Sequence, residues 1–188
     1  MMKKQPFDKI IDGEIKLQMP EYEIGYVQTR HDFLVRNDNL QPWRDSLAGV
    51  KSIDDVWRKT EQELAAIQNM EAAIYGIWSD GAYIGEVYAK DIDYVLYTVF
   101  NLGYAVDTKF RGNGVAPKAI RTLESDLWKR GVLKIYLFCH PSNAASLRVA
   151  GKCHYKPDHM ERLVCDIPPN IGKVKAAMFT KHAPVRHK

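Results

Sequence analysis

The chain has 188 residues, of which 46% are hydrophobic and 27% charged, a composition that predicts one folded domain over residues 1–188 and excludes wholesale disorder. A formal net charge of +4 is too small to indicate a dedicated nucleic-acid-binding protein. No apolar run of about 18 residues occurs and no apolar segment follows Lys3 and Lys4, so we expect a cytoplasmic protein without a membrane span. Three cysteines without a Cys-x-x-Cys spacing indicate reduced thiols rather than disulfides or a bound metal.

The first part of the chain is predicted to be mainly helical. Residues 1–20 show no clear period and are expected to form an arm, and a weak helical pattern runs from His31 to Arg36. The strongest helical period covers residues 53–69, and Ser52 followed by Asp55 is typical of a capping box at its start. Between these helices we expect a loop or short helix that packs onto the core through Leu40, Trp43 and Leu47.

The middle of the chain is predicted to form three strands. Residues 72–78 and 83–89 flank the turn residues Ser79-Asp80-Gly81, and this pattern indicates a β-hairpin. The long apolar run 95–106 predicts a central strand. Gly103 inside that run indicates either a bulge or a place where another group approaches the backbone closely.

The rest of the chain alternates between helical and strand patterns. A helix is predicted over 117–131 and a strand over 133–139, followed by a short helix over 143–152. Two further strands are predicted over 162–167 and 175–180, before a basic tail over 181–188. Consecutive strands followed by strands that alternate with helices predict an α/β (α+β) fold in which helices cover a mixed sheet.

A glycine-containing loop, residues 110–117, lies between a predicted central strand and a predicted helix. Gly112 and Gly114 permit conformations in which several backbone N–H groups converge, and the helix that follows adds its own unpaired N–H groups. Arg111 adds a forked, permanently charged donor that suits a pyrophosphate. The pattern fits neither a P-loop nor a dinucleotide fingerprint, whose third glycine would fall on Pro117. The alternative is a flexible connection with a surface arginine.

Two motifs of this chain resemble those of a known protein family. Arg111-x-x-Gly114-x-Ala116 resembles the [QR]-x-x-G-x-[GA] signature of the GNAT N-acetyltransferases. One strand later, the segment Asn143-Ala-Ala-Ser-Leu-Arg-Val-Ala150 resembles the N-x-x-S-x-x-V-A helix of the RimJ/RimL-type branch. The resemblance covers about residues 20–180 and implies a GNAT-type mixed β-sheet that is splayed at its centre and flanked by helices.

The resemblance also implies the binding residues for acetyl-CoA. Backbone groups of Ala105 and Val106 would pair with the pantetheine arm, as an exposed strand edge requires partners. Asn143 of the second motif would lie at the same site. The pyrophosphate would bind to the loop residues Arg111, Gly112, Asn113, Gly114, Val115 and Ala116.

The resemblance also implies which residues act in catalysis. Many family members protonate the departing thiolate with a tyrosine on the second motif's helix, but this chain has Val149 at that position, so we expect Ser146 to stabilise the thiolate. Asp166 is expected to be the general base on the following strand. Other carboxylates stay open for that role, namely Glu86, Asp91, Asp93, Asp107 and Glu161.

The function implied by both motifs is an acetyl-CoA-dependent N-acetyltransferase that acts on the N-terminal α-amine of a protein or peptide. A first alternative is acetylation of a small amine such as an aminoglycoside, a polyamine or an amino acid. A second is a CoA-binding sensor without turnover, indicated by the absent helix tyrosine at Val149. We expect no metal, membrane or nucleic acid in this function, and a homodimer stays open.

Overall fold

The computed structural model describes residues 9–37, 50, 52–165 and 172–184. Two short strands and two helices come first: β1 (Lys9–Asp12), β2 (Ile15–Gln18), α1 (Ile24–Arg36) and α2 (Ile53–Gln68). The central elements are β3 (Ala73–Ser79), β4 (Ala82–Asp93), β5 (Thr98–Val106), α3 (Val115–Lys129), β6 (Lys134–Cys139) and α4 (Ala144–Lys152). The last elements are β7 (Lys156–Pro157), β8 (Leu163–Cys165), β9 (Lys173–Lys175) and β10 (Ala177–His182). A single 3-10 turn, Thr108–Phe110, lies between β5 and α3.

Eight of these strands form one mixed sheet in the order β1-β2-β3-β4-β5-β6-β10-β7. Strands β5 and β6 are parallel because α3 crosses between them, whereas the other neighbouring pairs in this sheet are antiparallel. Strands β8 and β9 form a separate two-stranded ribbon. The predicted α/β class with a mixed sheet is therefore confirmed.

The parallel pair β5–β6 separates halfway along its length. Its register joins Thr98 to Lys134, Val99 to Ile135 and Leu102 to Leu137, and no pairing continues from Gly103 to Val106. On its other edge β5 stays paired with β4 through Val106. The predicted central splay is confirmed, and it leaves backbone N–H and C=O groups of β5 facing an opening.

The two faces of the sheet are covered by different helices. Leu102 and Val106 of β5 belong to the same buried cluster as Ile120 and Leu123 of α3. Ala105, on the opposite face, belongs to a cluster with α1 residues that include Phe33. Because side chains alternate along a strand, the opening beside β5 connects the α3 face with the α1 face.

Helix α2 follows the sequence prediction closely. The Ser52 hydroxyl accepts a hydrogen bond from the Asp55 backbone N–H at 3.2 Å, and the Asp55 carboxylate accepts one from the Ser52 backbone N–H at 2.9 Å. This is the reciprocal capping box that the spacing predicts. Helix α1, by contrast, begins at Ile24 rather than His31. Its first turns lack a polar cap, and they form because Tyr26 and Val27 are buried against the sheet.

The N-terminal segment differs most from the sequence analysis. Residues 9–18 form the β1–β2 hairpin, and β2 pairs with β3 from Lys16–Trp78 to Gln18–Gly76. Gly13 has φ +58, as the tight turn of this hairpin requires. The part of the predicted arm that the structure describes is therefore an edge of the main sheet. Residues 38–49, with the expected packing of Leu40, Trp43 and Leu47, lie outside the described residues.

Two strand boundaries also shift. Strand β5 begins at Thr98 rather than 95 because the Asp93 carboxylate accepts hydrogen bonds from the backbone N–H groups of Val95 and Leu96 and fixes a turn there. The predicted strand 175–180 is divided into β9 and β10, since the Ala176 N–H donates to the Arg162 carbonyl at 2.8 Å. No described helix is both long enough and apolar enough to span a bilayer.

Candidate active site

A cavity of about 620 Å³ fills the opening between β5 and β6. Its wall combines both separated strands with the loop before α3, the first turn of α3, one side of α4 and part of β8. Nine residues predicted for the site line it: Ala105, Val106, Arg111, Gly112, Gly114, Val115, Ala116, Asn143 and Ser146. Asn113 is not part of the wall, and Asp166 lies outside the described residues.

The loop between β5 and α3 has the geometry of an anion site. Gly112 and Gly114 have φ values of +84 and +79, and an added Cβ would meet nothing within 4 Å at either position, so backbone conformation alone requires glycine. Gly114 is the N-cap of the fifteen-residue helix α3 and offers no side-chain cap. The first N–H groups of α3 therefore remain for an external acceptor. The Arg111 side chain lines the same cavity and donates from Nε to the Val106 carbonyl at 3.0 Å.

Helix α1 anchors this loop to the sheet. Asp107 accepts a hydrogen bond from Arg36 Nε at 2.6 Å, and its own backbone N–H donates to Ile84 at 2.8 Å. The amide oxygen of Asn37 accepts from the backbone N–H of Thr108 at 2.9 Å. Burial alone would raise the pKa of Asp107. The hydrogen bonds from the Arg36 side chain, the Lys109 backbone and the Asn37 side chain lower this pKa, so Asp107 stays ionised. Asp107 is thus a structural anchor.

Residue 103 must be glycine because the Tyr88 side chain approaches its backbone closely. This is the second of the two predicted alternatives. Gly103 faces Tyr88 across β4–β5, and an added Cβ would lie 2.3 Å from the Cζ and hydroxyl oxygen of Tyr88. The expected bulge occurs instead between Val99 and Leu102, where the β5–β6 register shifts. Both Tyr88 and Gly103 line the cavity, so the tyrosine ring forms its wall at this point.

Ser146 is held toward the cavity by two neighbours. It lies in the first turn of α4, where its backbone N–H donates to the Asn143 side-chain oxygen at 3.1 Å, so Asn143 caps this helix. The Tyr104 hydroxyl of β5 donates to Ser146 Oγ at 3.1 Å. Burial raises the pKa of Tyr104, which therefore stays protonated and acts as a donor at neutral pH. Sequence reasoning missed Tyr104, although its alternation with Leu102 and Val106 places it on the α4 side.

Other side chains of the cavity are poor nucleophiles. Val149 lines the cavity at the position where the resemblance calls for tyrosine. Cys139 also lines it, and burial raises the pKa of its thiol to about 11. A neutral thiol does not attack a thioester readily, so the site favours direct transfer over an acyl-cysteine intermediate. In the described ranges, no group of three or more His, Cys, Asp or Glu side chains is arranged to hold a metal ion.

The five alternative carboxylates all lie away from the cavity wall. Glu86 is buried in ion pairs with Arg30, and Glu161 pairs with Lys175 on the surface. Asp93 fixes the β4–β5 turn, Asp107 anchors the loop as described, and Asp91 is exposed at a residue with φ +55. None of them is part of the wall. Asp166 follows β8 directly in sequence and stays a prediction.

Comparison with protein families identifies the class of enzyme. The family model described as the acetyltransferase (GNAT) domain matches residues 23–156, which span α1 to the start of β7. The chain belongs to this family, and the prediction of an acetyl-CoA-dependent N-acetyltransferase is confirmed at the level of the family. A comparison with curated protein sequences found no significant match.

Several solved structures share the fold. The microcin C7 self-immunity acetyltransferase MccE, in complex with acetyl-CoA and AMP, is 23% identical, with a TM-score of 0.81 over 92% of this chain and 94% of its own. RimL, the ribosomal L7/L12 α-N-protein acetyltransferase, in complex with coenzyme A, is 18% identical, with a TM-score of 0.83 over 92% and 96%. Mycobacterium smegmatis RimJ, in complex with CoA-disulfide, is 15% identical, with a TM-score of 0.75 over 90% and 82%.

Proposed function

We propose that this protein transfers the acetyl group of acetyl-CoA to the N-terminal α-amine of a protein or peptide. The observation that carries the proposal is the coincidence of a phosphate-type loop with an unpaired strand edge at one cavity. Acetyl-CoA supplies a thioester whose carbonyl carbon is attacked by the amine, with formation of the C–N bond and departure of the thiolate. The complexes of MccE with acetyl-CoA and of RimL with coenzyme A support this donor.

The cavity residues fit such a donor. The pyrophosphate would bind to Arg111 and to the backbone N–H groups that open α3, because both line the same cavity and supply donors and positive charge. The pantetheine amides would pair with the edge of β5 near Ala105 and Val106, where the β6 ladder has ended and Arg111 Nε now donates to the Val106 carbonyl. The predicted cofactor residues Gly112, Gly114, Val115, Ala116 and Asn143 complete this part of the wall.

Ser146 would act on the leaving group. Since its oxygen already accepts a hydrogen bond from Tyr104, its own proton can be directed toward a developing thiolate. Tyr104 in turn stays protonated and stabilises any negative charge that develops on Ser146. This pair replaces the helix tyrosine that is absent at Val149. Asp166 would receive the amine proton, directly or through water.

A protein or peptide acceptor is favoured over a small polycation. The described part of the cavity wall has four cationic side chains, Arg111, Arg148, Lys152 and Arg162, and no carboxylate. An aminoglycoside or polyamine would need acidic groups to offset its charge. Of the two structural neighbours RimL and RimJ, RimL is described as a ribosomal-protein acetyltransferase, which agrees with this choice of acceptor.

The test is release of free thiol from acetyl-CoA with a panel of N-terminal peptides and, separately, a panel of small amines, using wild type, Ser146→Ala and the matched control Ser125→Ala. Ser125 is an exposed hydroxyl of α3 away from the cavity. We expect peptide turnover, with kcat lowered about ten- to a hundredfold in Ser146→Ala while the CoA Kd changes little, since the hydrogen bond strengthens only as the thiolate forms. Turnover with small amines alone would contradict the acceptor. CoA binding without any turnover would favour the sensor.

A further inference from the structure

Arg162 is a cation of the cavity wall that the donor site leaves unused. It lies just before β8, and its backbone carbonyl is fixed by the Ala176 N–H at 2.8 Å. Its guanidinium carbon lies 3.9 Å from the centre of the Phe138 ring, and Nη1 donates to the Phe100 carbonyl at 3.4 Å. Among the described residues, no carboxylate pairs with Arg162, whereas the adjacent Glu161 pairs with Lys175 on the surface.

The position of Arg162 separates it from the phosphate loop. In β6, Ile135 and Leu137 belong to the cluster that contains α3, so Phe138 and the arginine stacked on it lie on the opposite face of the sheet. The loop at Arg111–Ala116, together with Arg148 and Lys152 of α4, is on the α3 side. A donor whose phosphates bind on the α3 side leaves the Arg162 side of the opening for the acceptor.

The environment of Arg162 suits an anionic ligand. An aromatic ring beneath a guanidinium holds its plane and leaves the outer N–H groups aligned as a fork, which matches a carboxylate or a phosphate. The arginine is half-buried, so solvent screens its charge less than on an open surface. With no acidic side chain on the described wall, an acceptor must bring the neutralising charge itself.

We propose that Arg162 selects amine acceptors that carry a carboxylate or phosphate close to the reacting amine. This inference rests on the proposed function, and for a peptide acceptor it assigns an acidic side chain at the second residue. The amine then enters from the α1 face, beside Tyr88 and Asn101, while its anionic neighbour pairs with the guanidinium. Arg162 acts here as a specificity-determining residue and takes no part in the bond-making step.

The experiment compares peptides that differ only at the second residue, with Asp, Asn or Lys there, in wild type, Arg162→Gln and Arg162→Glu. Lys129→Gln is the matched control, because it removes one positive charge from the exposed end of α3. We expect wild type and the control to prefer Asp over Lys by about ten- to a hundredfold in kcat/KM, the range of one charge-assisted hydrogen bond. Arg162→Gln should abolish the preference, and Arg162→Glu should reverse it.

The readout is a ratio between peptides, so a general loss of stability or activity does not imitate the effect. The same ratio in wild type and both Arg162 variants, or a wild-type preference for Lys, would overturn the inference and leave the acetyltransfer itself intact. If only small carboxylated or phosphorylated amines are acetylated, with a preference that follows Arg162, the peptide assignment fails and this inference stands. Calorimetric binding of the same peptides to the CoA complex gives the ranking without turnover and decides the matter if no peptide is acetylated.

Discussion

Arg30 shows how one side chain can join the helical layer to the sheet. It is 1% exposed, and its guanidinium pairs with Glu63 of α2 at 2.7 Å and with Glu86 of β4 at 3.0 Å. Tyr83 also donates to Glu86 at 3.3 Å. Burial alone would raise the pKa of Glu63, but Arg30 and Lys59 outweigh this and lower it, so Glu63 remains ionised in the folded protein.

Replacement of Arg30 should therefore be costly and depend on pH. We expect Arg30→Met to lower the free energy of unfolding by about 3–5 kcal/mol at pH 7, because two buried carboxylates lose the arginine that they share. Arg58→Met, at an exposed pair in α2, should cost under about 1 kcal/mol. A carboxyl with a lowered folded-state pKa contributes stability above its ordinary value of 4.5 and loses it as the pH falls through the lowered value.

The difference between wild type and Arg30→Met should accordingly shrink below about pH 4.5, where protonation of Glu63 removes the charge that Arg30 compensates. Urea unfolding followed across pH measures both effects. A small cost at neutral pH, or one that does not change with pH, would contradict the role assigned to this cluster.

At the same scale, sequence reasoning found one of the two residues in the Tyr104–Ser146 hydrogen bond. The second motif pointed to Ser146, but its hydrogen bond from Tyr104 joins residues 42 positions apart. No local pattern records such a contact, because it depends on how α4 packs over the splayed end of β5. Arg162 was missed for the same reason, since its contact with Phe138 exists only after β8 has folded back beside β6.

At the scale of elements, β4 and β5 approach each other closely at two glycines. One of them faces a side chain of the neighbouring strand, and the other faces its backbone. An added Cβ at Gly103 would meet the end of the Tyr88 ring at 2.3 Å, whereas one at Gly85 would meet the Ala105 carbonyl oxygen at the same distance. A ring can rotate away, but the backbone of a paired strand cannot move without loss of its ladder.

We expect Gly103→Ala to cost about 1 kcal/mol and Gly85→Ala about 3 kcal/mol in the free energy of unfolding, the lower and upper ends for overpacking. In a Tyr88→Ala background the cost of Gly103→Ala should fall close to zero, and that of Gly85→Ala should stay within about 0.5 kcal/mol of its original value. Chemical denaturation of the double-mutant cycle measures both. Equal costs in the two backgrounds at Gly103 would show that Tyr88 is not what requires glycine there.

Elements with a local signature were predictable, and edges of the sheet were less so. The capping box of α2 and the turn at Asp80-Gly81 are encoded by adjacent residues, and both appear as predicted. Strands β1 and β2 have only four residues each, too few to show a period. The turn at Gly13 between Ile10-Ile11 and Ile15-Leu17 is the signal that could have identified this hairpin.

At the scale of the whole molecule, the splay is the feature on which the proposed function depends. It arises because the register of β5 shifts against β6 after Val99 and the ladder ends at Leu102, while β6 continues to pair with β10 from Lys134 to Cys139. The two sequence motifs implied this opening because they resemble those of the GNAT family, whereas hydrophobic patterning alone predicted only a mixed sheet. The glycine-containing loop before α3 and the open strand edge then lie at the same cavity because α3 must cross directly from β5 to β6.

Calorimetric titration of CoA into wild type, Arg111→Ala and the control Lys129→Ala is the first test of the proposed acetyl-CoA site. Arg111 lines the cavity from the loop that precedes α3, and Lys129 is exposed at the last residue of that helix. We expect wild type and the control to bind CoA equally and Arg111→Ala to bind it about ten- to a hundredfold more weakly, because one charged partner of the pyrophosphate is lost. Equal CoA affinity in Arg111→Ala, or no binding by wild type, would contradict the proposed site.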